Sequence, residues 1–380
     1  MKKRLLWLIF LFPLFSRAQV SNTGFIDTGG GEHIGKITIG AYMDLYYGHY
    51  TRRTGGTGSV PFMVSSNRNN ELNLNLAHLD VRYRTENLRA RFVPGFGTYM
   101  NSNHGPEPQT LAFVVEASAG IRLSKKKDIW LDGGVIGSPY TNENPVSKEH
   151  LMYTRSLAAE NVPYYQTGLR LAVPVGKKMH AYLYGLNGWQ QLQDQNQFKS
   201  FGTQLEWNIN DNNLLNWDTY MGDERSAARP LDRMRWLTDL YWIGKAGNWD
   251  FTSSVYAGLQ QRRTPAPDST QPNPGTTLFT QHLWYSANFI TRWHISPKWA
   301  VSARAEYFHD PDHVMQTPAG VPATGYKTGS GSACISFQPA DHVLYRMEYR
   351  HFYSPDLLYL TSNGASHTAD WFTCSVAVWF

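Results

Sequence analysis

The sequence predicts an all-β fold, a single closed antiparallel barrel whose strands cross a membrane. Three observations predict it. Apolar and polar residues alternate with period two in segment after segment, tight turns and long loops follow one another in strict order, and the last stretch, "WFTCSVAVWF", is itself such a segment with Phe380 at its end. Period two is the spacing of side chains on one face of a strand, and a strand between lipid and an aqueous interior needs one apolar face and one wet face.

Taken from the N-terminus, the first element precedes the barrel. "MKKRLLWLIFLFPLFSRA" (1–18) sets basic residues ahead of an apolar run from Leu5 to Phe15 and closes on Ser16 and Ala18, the pattern of a secretory signal peptide cleaved after Ala18. That run is too short to span a bilayer as a helix, which takes roughly 20 apolar residues. Loss of Lys2, Lys3, Arg4 and Arg17 takes the formal net charge from +5 to +1. The high pI therefore implies no nucleic-acid partner, and no nucleic-acid motif accompanies it. Residues 19–35 are expected to form a short periplasmic segment and 36–380 the barrel.

Strands are expected near 36–47, 70–84, 87–99, 110–123, 127–136, 163–174, 178–188, 199–209, 213–222, 232–243, 247–260, 280–294, 298–308, 326–337, 341–351 and 369–380. That makes about sixteen, or fourteen or eighteen if one soft hairpin is misread. The alternation is sharpest in "VLYRMEYR", where Val343, Tyr345, Met347 and Tyr349 face one way and Leu344, Arg346, Glu348 and Arg350 the other, and in "WAVSARAEY", whose polar side holds Ser302, Arg304 and Glu306. In "NELNLNLAHLDVRYR" the parity changes between Leu72, Leu74, Leu76 and Leu79, Val81, Tyr83, which predicts a bulge near Ala77 and His78.

The connections decide between a barrel and a soluble sandwich. "RTEN", "SKKKD", "PVGKK", "NIND", "GKAGN", "SPK" and "QPAD" alternate with long loops at 48–69, 100–109, 137–162, 189–198, 223–231, 261–279, 309–325 and 352–368. Short periplasmic turns and long extracellular loops are the plan of an outer-membrane barrel. The strand lengths fit the roughly 9–11 residues a tilted strand needs, and closure leaves no unpaired edge in the lipid. Closure requires "KITIGAYMDLYYG" to pair with the last strand, and a terminal aromatic such as Phe380 is an address for barrel-insertion machinery. Tyr46, Tyr47, Trp236, Tyr241, Trp242, Trp284, Trp293 and Trp299 lie near strand ends, where interfacial aromatic girdles form.

The order and spacing of "ITIGAYMDLYYGHY", "NELNLNLAHLDVRYRTENLRARFVPGFGTY" and "YTRSLAAENVPYYQTGLRLAVPVGKKMHAYLYGLNGWQQLQDQNQFKSFGTQLEWN" resemble the OmpL-like β-barrel porins, the porin-2 type of Bacteroidota and other Gram-negative outer membranes. The resemblance extends over nearly the whole mature chain. It implies an integral outer-membrane porin, with no catalytic residues to transfer, and leaves room for an accessory role in a larger membrane complex.

If apolar faces meet lipid, the opposite faces line the interior. Arg82 and Arg84 then sit beside Arg89 and Arg91 across a tight turn near the periplasmic end, with Arg122 and Arg170 continuing the basic surface. Arg233, Arg235, Arg292, Arg304, Arg346 and Arg350 face inward elsewhere, against Asp80, Glu116, Glu206, Asp239, Glu306 and Glu348. Such charges either set a transverse field that selects polar solutes or pair with one another and stiffen the wall. The loop "GSPYTNENPVSKEHLMYTRSLAAENV" is long enough to fold inward as a constriction, with Glu149, Arg155 and Glu160 as its charged residues, or to cap the outside.

"HDPDH" (309–313) holds metal-ligand residue types, but a loop tip is naturally polar and its proline limits folding, so no metal or cofactor is expected. No nucleophile elbow, P-loop, H-E-x-x-H or C-x-x-C occurs. Cys374 is expected to face lipid and Cys334 the lumen, which disfavours a disulfide. The expected function is passive diffusion of small polar solutes with a weak preference for anions. The alternatives are an occluded accessory barrel and, behind it, a membrane-embedded hydrolase. Expected partners are outer-membrane lipid and lipopolysaccharide, the insertion machinery, the solutes, and a homo-oligomer or membrane-complex partner.

Overall fold

The structure is a computed structural model that describes residues 32–50, 58–60, 62–263, 279–317, 321, 323–361 and 364–380. The predicted signal peptide, its cleavage point and residues 19–31 lie outside the described residues.

Sixteen strands form the wall: β1 (Ile37–Tyr50), β2 (Leu72–Arg84), β3 (Leu88–Phe96), β4 (Val114–Arg122), β5 (Trp130–Gly137), β6 (Tyr165–Pro174), β7 (Met179–Leu186), β8 (Ser200–Asn210), β9 (Asn213–Asp223), β10 (Asp232–Ala246), β11 (Trp249–Arg263), β12 (Phe279–His294), β13 (Trp299–Asp310), β14 (Tyr326–Ala340), β15 (Val343–Tyr353) and β16 (Thr368–Trp379). Each pairs antiparallel with its sequence neighbour, and β1 pairs with β16 from Tyr42 opposite Trp379 to Tyr50 opposite Trp371. The fold is the closed, antiparallel, all-β barrel that the alternation and the turn order predict.

Burial follows strand parity with the polarity reversed from that of a soluble protein. Outward positions carry Leu183, Phe201, Trp217, Val255 and Met347, all exposed, while inward positions carry Gln204, Asp218, Asp239, Glu306 and Glu348, all buried. Exposed apolar side chains over a whole outer wall are stable in lipid, not in water. Near the short turns Trp249 stacks on Trp293 with ring centroids 6.0 Å apart, and Trp299 on Phe337 at 4.3 Å, the stacked rings of an interfacial girdle. Tyr46, Tyr241 and Trp284 do not belong to it. They occupy inward parity and are at most 1% exposed.

The bulge falls at Asn75, slightly before the expected position. Leu74 faces Leu45 and Leu76 faces Asp44, so Asn75 is the extra residue. Its amide donates to Asp44 Oδ2 at 2.9 Å and its carbonyl accepts from the Ser66 N–H, which satisfies a residue the ladder has skipped. Leu76 is thereby turned inward and fully buried. In β5, Gly134 has φ +125°, and a Cβ there would lie 2.2 Å from the Ala117 carbonyl oxygen, so the wall requires glycine at that point.

Candidate functional site: a loop folded into the barrel

The loop between β5 and β6 turns into the barrel instead of capping it. It contains a 3-10 turn, Ser147–Glu149, and the short helix α1, Leu157–Glu160, whose Ser156 cap accepts from the Ala159 N–H. An irregular segment carries backbone groups that no ladder satisfies, and here the wall supplies the partners. Glu348 on β15 accepts from the Tyr153 N–H (2.9 Å), the Thr154 N–H (2.7 Å) and the Thr154 hydroxyl (2.6 Å). Glu306 on β13 accepts from the Leu157 N–H at 2.5 Å, and Asp239 on β10 from the Thr141 N–H at 2.7 Å.

Arginines serve the carbonyls. Arg346 donates to the Ser147 and Met152 oxygens, Arg304 to Thr154, Arg350 to Arg155 and Arg292 to His150. Asn288 on β12 donates to Ser156 Oγ, and Tyr42 on β1 shares a hydrogen bond with Ser147. The loop's hydrogen bonds therefore dock it on the arc β10–β15 and on β1, and its Val146 packs in a buried apolar cluster with Leu76, Val93 and Val115 of β2–β4. Within it, burial pushes the His150 imidazole well below its ordinary range, with the nearby Arg155 and Arg346 charges adding to the effect. Burial likewise raises the Glu143 carboxyl, against the lowering pull of Arg304.

The arc β2–β6 carries a separate ion-pair system. Asp80 pairs with Arg82 (2.5 Å) and Arg91 (2.8 Å), Arg91 reaches Glu116 (3.1 Å), and Asp132 lies between Arg89 (2.5 Å) and Arg170 (3.0 Å). Towards the long-loop end the interior becomes aromatic. Trp189 meets Tyr220 at 5.0 Å and Trp284 at 6.3 Å, and Phe62 meets Phe352 at 5.2 Å and Tyr359 at 5.4 Å. Two loop carboxylates tie these segments together. Glu160 accepts from the Val64 and Ser65 N–H groups, and Glu107 from the Leu192 and Gln193 N–H groups and the Tyr165 hydroxyl.

A sixteen-stranded closed barrel with a loop bound inside it is porin architecture. The profile of the family described as "Putative beta-barrel porin-2, OmpL-like" matches residues 36–380. The chain belongs to this family. No curated protein matches it by sequence. Among solved structures it is similar to an anion-selective porin from Comamonas acidovorans (TM-score 0.58, 8% identity, 90% of this chain and 99% of that one). It is also similar to the trimer form of in-vitro folded OmpT from Vibrio cholerae (0.56, 8%, 91% and 100%) and to Salmonella typhi OmpF in complex with daunomycin (0.55, 10%, 91% and 98%). At such identities the likeness is one of fold.

In this porin-2 barrel the residues singled out from the sequence fall into three groups. Arg82, Arg89, Arg91, Glu116, Arg122 and Arg170 line the arc β2–β6, with Arg122 3.4 Å from Asp128 and Arg84 exposed at the rim. Arg304, Glu306, Arg346, Glu348 and Arg350 face inward beneath the docked loop and are buried by it. The remainder lie at the loop end. Arg235 donates to Gln260 and lies 4.8 Å from the Trp189 ring, while Arg233 sits in the irregularity between Asp232 and Arg235 and donates to the Pro230 and Asp232 carbonyls.

On the loop itself, Arg155 is buried against the Tyr164 ring at 4.0 Å, Glu160 holds the first loop, and Glu149 is exposed beside Asn144 and Lys148. The "HDPDH" stretch folds around one carboxylate, since Asp310 accepts from the N–H groups of Val314, Met315 and Gln316. No group of three metal-ligating side chains occurs among the described residues. Sequence reasoning passed over Asp132, Glu143 and Glu107. Asp132 was findable, because it shares inward parity with Trp130 in "WLDGG", whereas Glu143 and Glu107 lie in loops, where parity gives no signal.

Proposed function

We propose that this protein is an integral outer-membrane porin of a Gram-negative, Bacteroidota-like cell. Small polar solutes diffuse passively through the barrel interior past the docked loop, with a weak preference for anions. The observation that carries the reading is the cluster of arginines on the arc β2–β6, where the loop packs the apolar Val146 while its hydrogen bonds go to β1 and β10–β15. On that arc the arginines outnumber Asp80, Glu116 and Asp132, so the residual field is positive. The reading assigns the protein no bond chemistry. Its surroundings are lipid and lipopolysaccharide, it is inserted through the strand ending in Phe380, and assembly with further copies is compatible with it.

A second reading, an occluded accessory barrel, is favoured by one observation: the aromatic and loop side chains packed in the long-loop half, among them Tyr50, Tyr140, Trp284, Phe308 and Trp371, are almost wholly buried. Planar-bilayer conductance of purified, folded protein under a salt gradient separates the two. Discrete channels with an anion-signed reversal potential support the porin. Folded protein without channels, copurifying with a stable partner, supports the accessory barrel.

A further inference from the structure

Beneath the docked loop, at the short-turn end, a cavity of about 150 Å³ opens between the loop and the wall. Lys148 enters it from the loop, Arg292 and His294 from β12, Lys298 from the following turn and Ser336 from β14. Ser336 is 5% exposed, and its hydroxyl has no hydrogen-bond partner. Arg346 lies opposite Ser336 in the ladder and is 2% exposed. One of its nitrogens serves the loop, while Nε and the second terminal nitrogen have no partner. Arg292 and Arg346 are close enough for each charge to act on the other.

Neither arginine forms an ion pair among the described residues. The neighbouring carboxylates make their hydrogen bonds elsewhere: Asp250 is bonded to His294 at 2.7 Å, Glu149 lies 3.7 Å from Lys148, Glu348 serves the loop and Arg304, and Asp44, which feels the Arg346 charge, accepts from Asn75. Buried guanidinium charge without a counter-ion is costly, and buried donors without acceptors are rare. A bound anion removes both deficits with charge-assisted hydrogen bonds.

We propose that this vestibule binds one small oxyanion of the phosphate or sulfate class, held by Lys148, Arg292 and Ser336 with the Arg346 charge behind them. A single water needs about 10–15 Å³ of such space, so the cavity accommodates a tetrahedral anion with part of its hydration. The ligand is the free anion and not a lipid headgroup, because the residues proposed to hold it are inward-facing Arg292 and Ser336 and loop-borne Lys148, with only Trp299 of the lining on the outer parity. The site does not depend on an open pore, since it faces the short-turn end whether or not solutes pass the loop.

The test is calorimetric titration of folded, detergent-purified protein with inorganic phosphate in phosphate-free buffer of low ionic strength. A saturable one-site heat, competed by sulfate, is expected. Ser336→Ala removes a hydroxyl that no protein group uses, so the heat-modifiable gel shift should persist while affinity falls about tenfold. Arg292→Gln should abolish binding. Folded wild-type protein with no saturable heat, Ser336→Ala binding as tightly as wild type, or a response confined to phospholipid added in mixed micelles would each overturn the assignment. Bilayer conductance reads the porin proposal separately. Phosphate binding without channels leaves the site standing and removes the porin, and channels without phosphate binding do the reverse.

Discussion

Removing the Glu348 carboxylate should free the loop inside the barrel while leaving the barrel intact. That one side chain accepts from two loop N–H groups and a loop hydroxyl and pairs with Arg304 at 2.9 Å, all in a buried setting. The four contacts do not add independently. The relevant figure is the roughly 3–5 kcal/mol lost when one partner of a buried charge pair is deleted and the other stays behind. At about 1.4 kcal/mol per tenfold, Glu348→Ala should raise the population of undocked loop by roughly two to three and a half orders of magnitude. Trypsin reads this directly at Lys148 and Arg155, the latter buried in the docked state, because cleavage of a transiently open segment follows its open population. Glu348→Gln, which keeps one acceptor oxygen, should fall between Glu348→Ala and wild type. In bilayers the Ala variant should show larger and noisier channels. If Glu348→Ala folds by gel shift yet is cleaved and conducts as the wild type does, the docking argument is refuted.

Asp132→Ala leaves Arg89 and Arg170 without their shared carboxylate, so the reversal potential should move toward anions and the heat-shift temperature should drop, in keeping with a loss of about 3–5 kcal/mol. Gly134→Ala places a Cβ 2.2 Å from a carbonyl oxygen at φ +125°, a strain of about 1–3 kcal/mol or more, and should lower the folded fraction on gels. His150 is held neutral when docked. The undocked imidazole takes up a proton as pH falls below about 6.5, so docking is strongest above that pH and weakens as acid is added. Tryptic cleavage of the loop should accelerate on the same scale. His104, in the loop after β3, is lowered to about 4 by burial, so the packing of its own loop weakens as acid is added. A membrane-soluble maleimide should label Cys374, which shares outward parity with Met347 and Tyr47, and should leave buried Cys334 unmodified until the barrel is unfolded.

The barrel was legible because each strand states its two environments in alternate residues. Lipid and interior impose opposite polarity, and the period-two pattern in "VLYRMEYR" or "FTCSVAVWF" admits one orientation once the connections show which way the sheet closes. Closure between β1 and β16, and the opposite facing of Cys334 and Cys374, follow from parity alone. The bulge was legible as a phase change but not to the residue, since either side of a skipped position preserves the same outer face. Parity also corrects the aromatics. Trp284 lies near a strand end, but its even position in β12 points it inward. What parity cannot reach is the docked loop. Thr154 and Glu348 are separated by 194 positions, and a glutamate that takes a loop N–H reads the same in sequence as one that faces water.

The sign pattern of the inner wall nevertheless carries a trace of that docking. A loop inside a barrel offers both carbonyls and N–H groups, so the surface that receives it must present donors and acceptors in close alternation, and arginine and glutamate at successive inward positions do this. β13 offers Arg304 then Glu306, and β15 offers Arg346, Glu348 and Arg350; every one of them contacts the loop backbone or a partner that does. The arc β2–β6 is built differently. Its arginines cluster, with Arg82 opposite Arg91 and Arg84 opposite Arg89, and its carboxylates pair with arginines of the wall and not with backbone. Like charges directly opposite in a ladder are unfavourable, and here Asp80 between Arg82 and Arg91 and Asp132 beside Arg89 offset the repulsion. Alternating signs thus mark where a loop backbone is received, and arginines clustered around shared carboxylates mark a stretch of wall that satisfies itself.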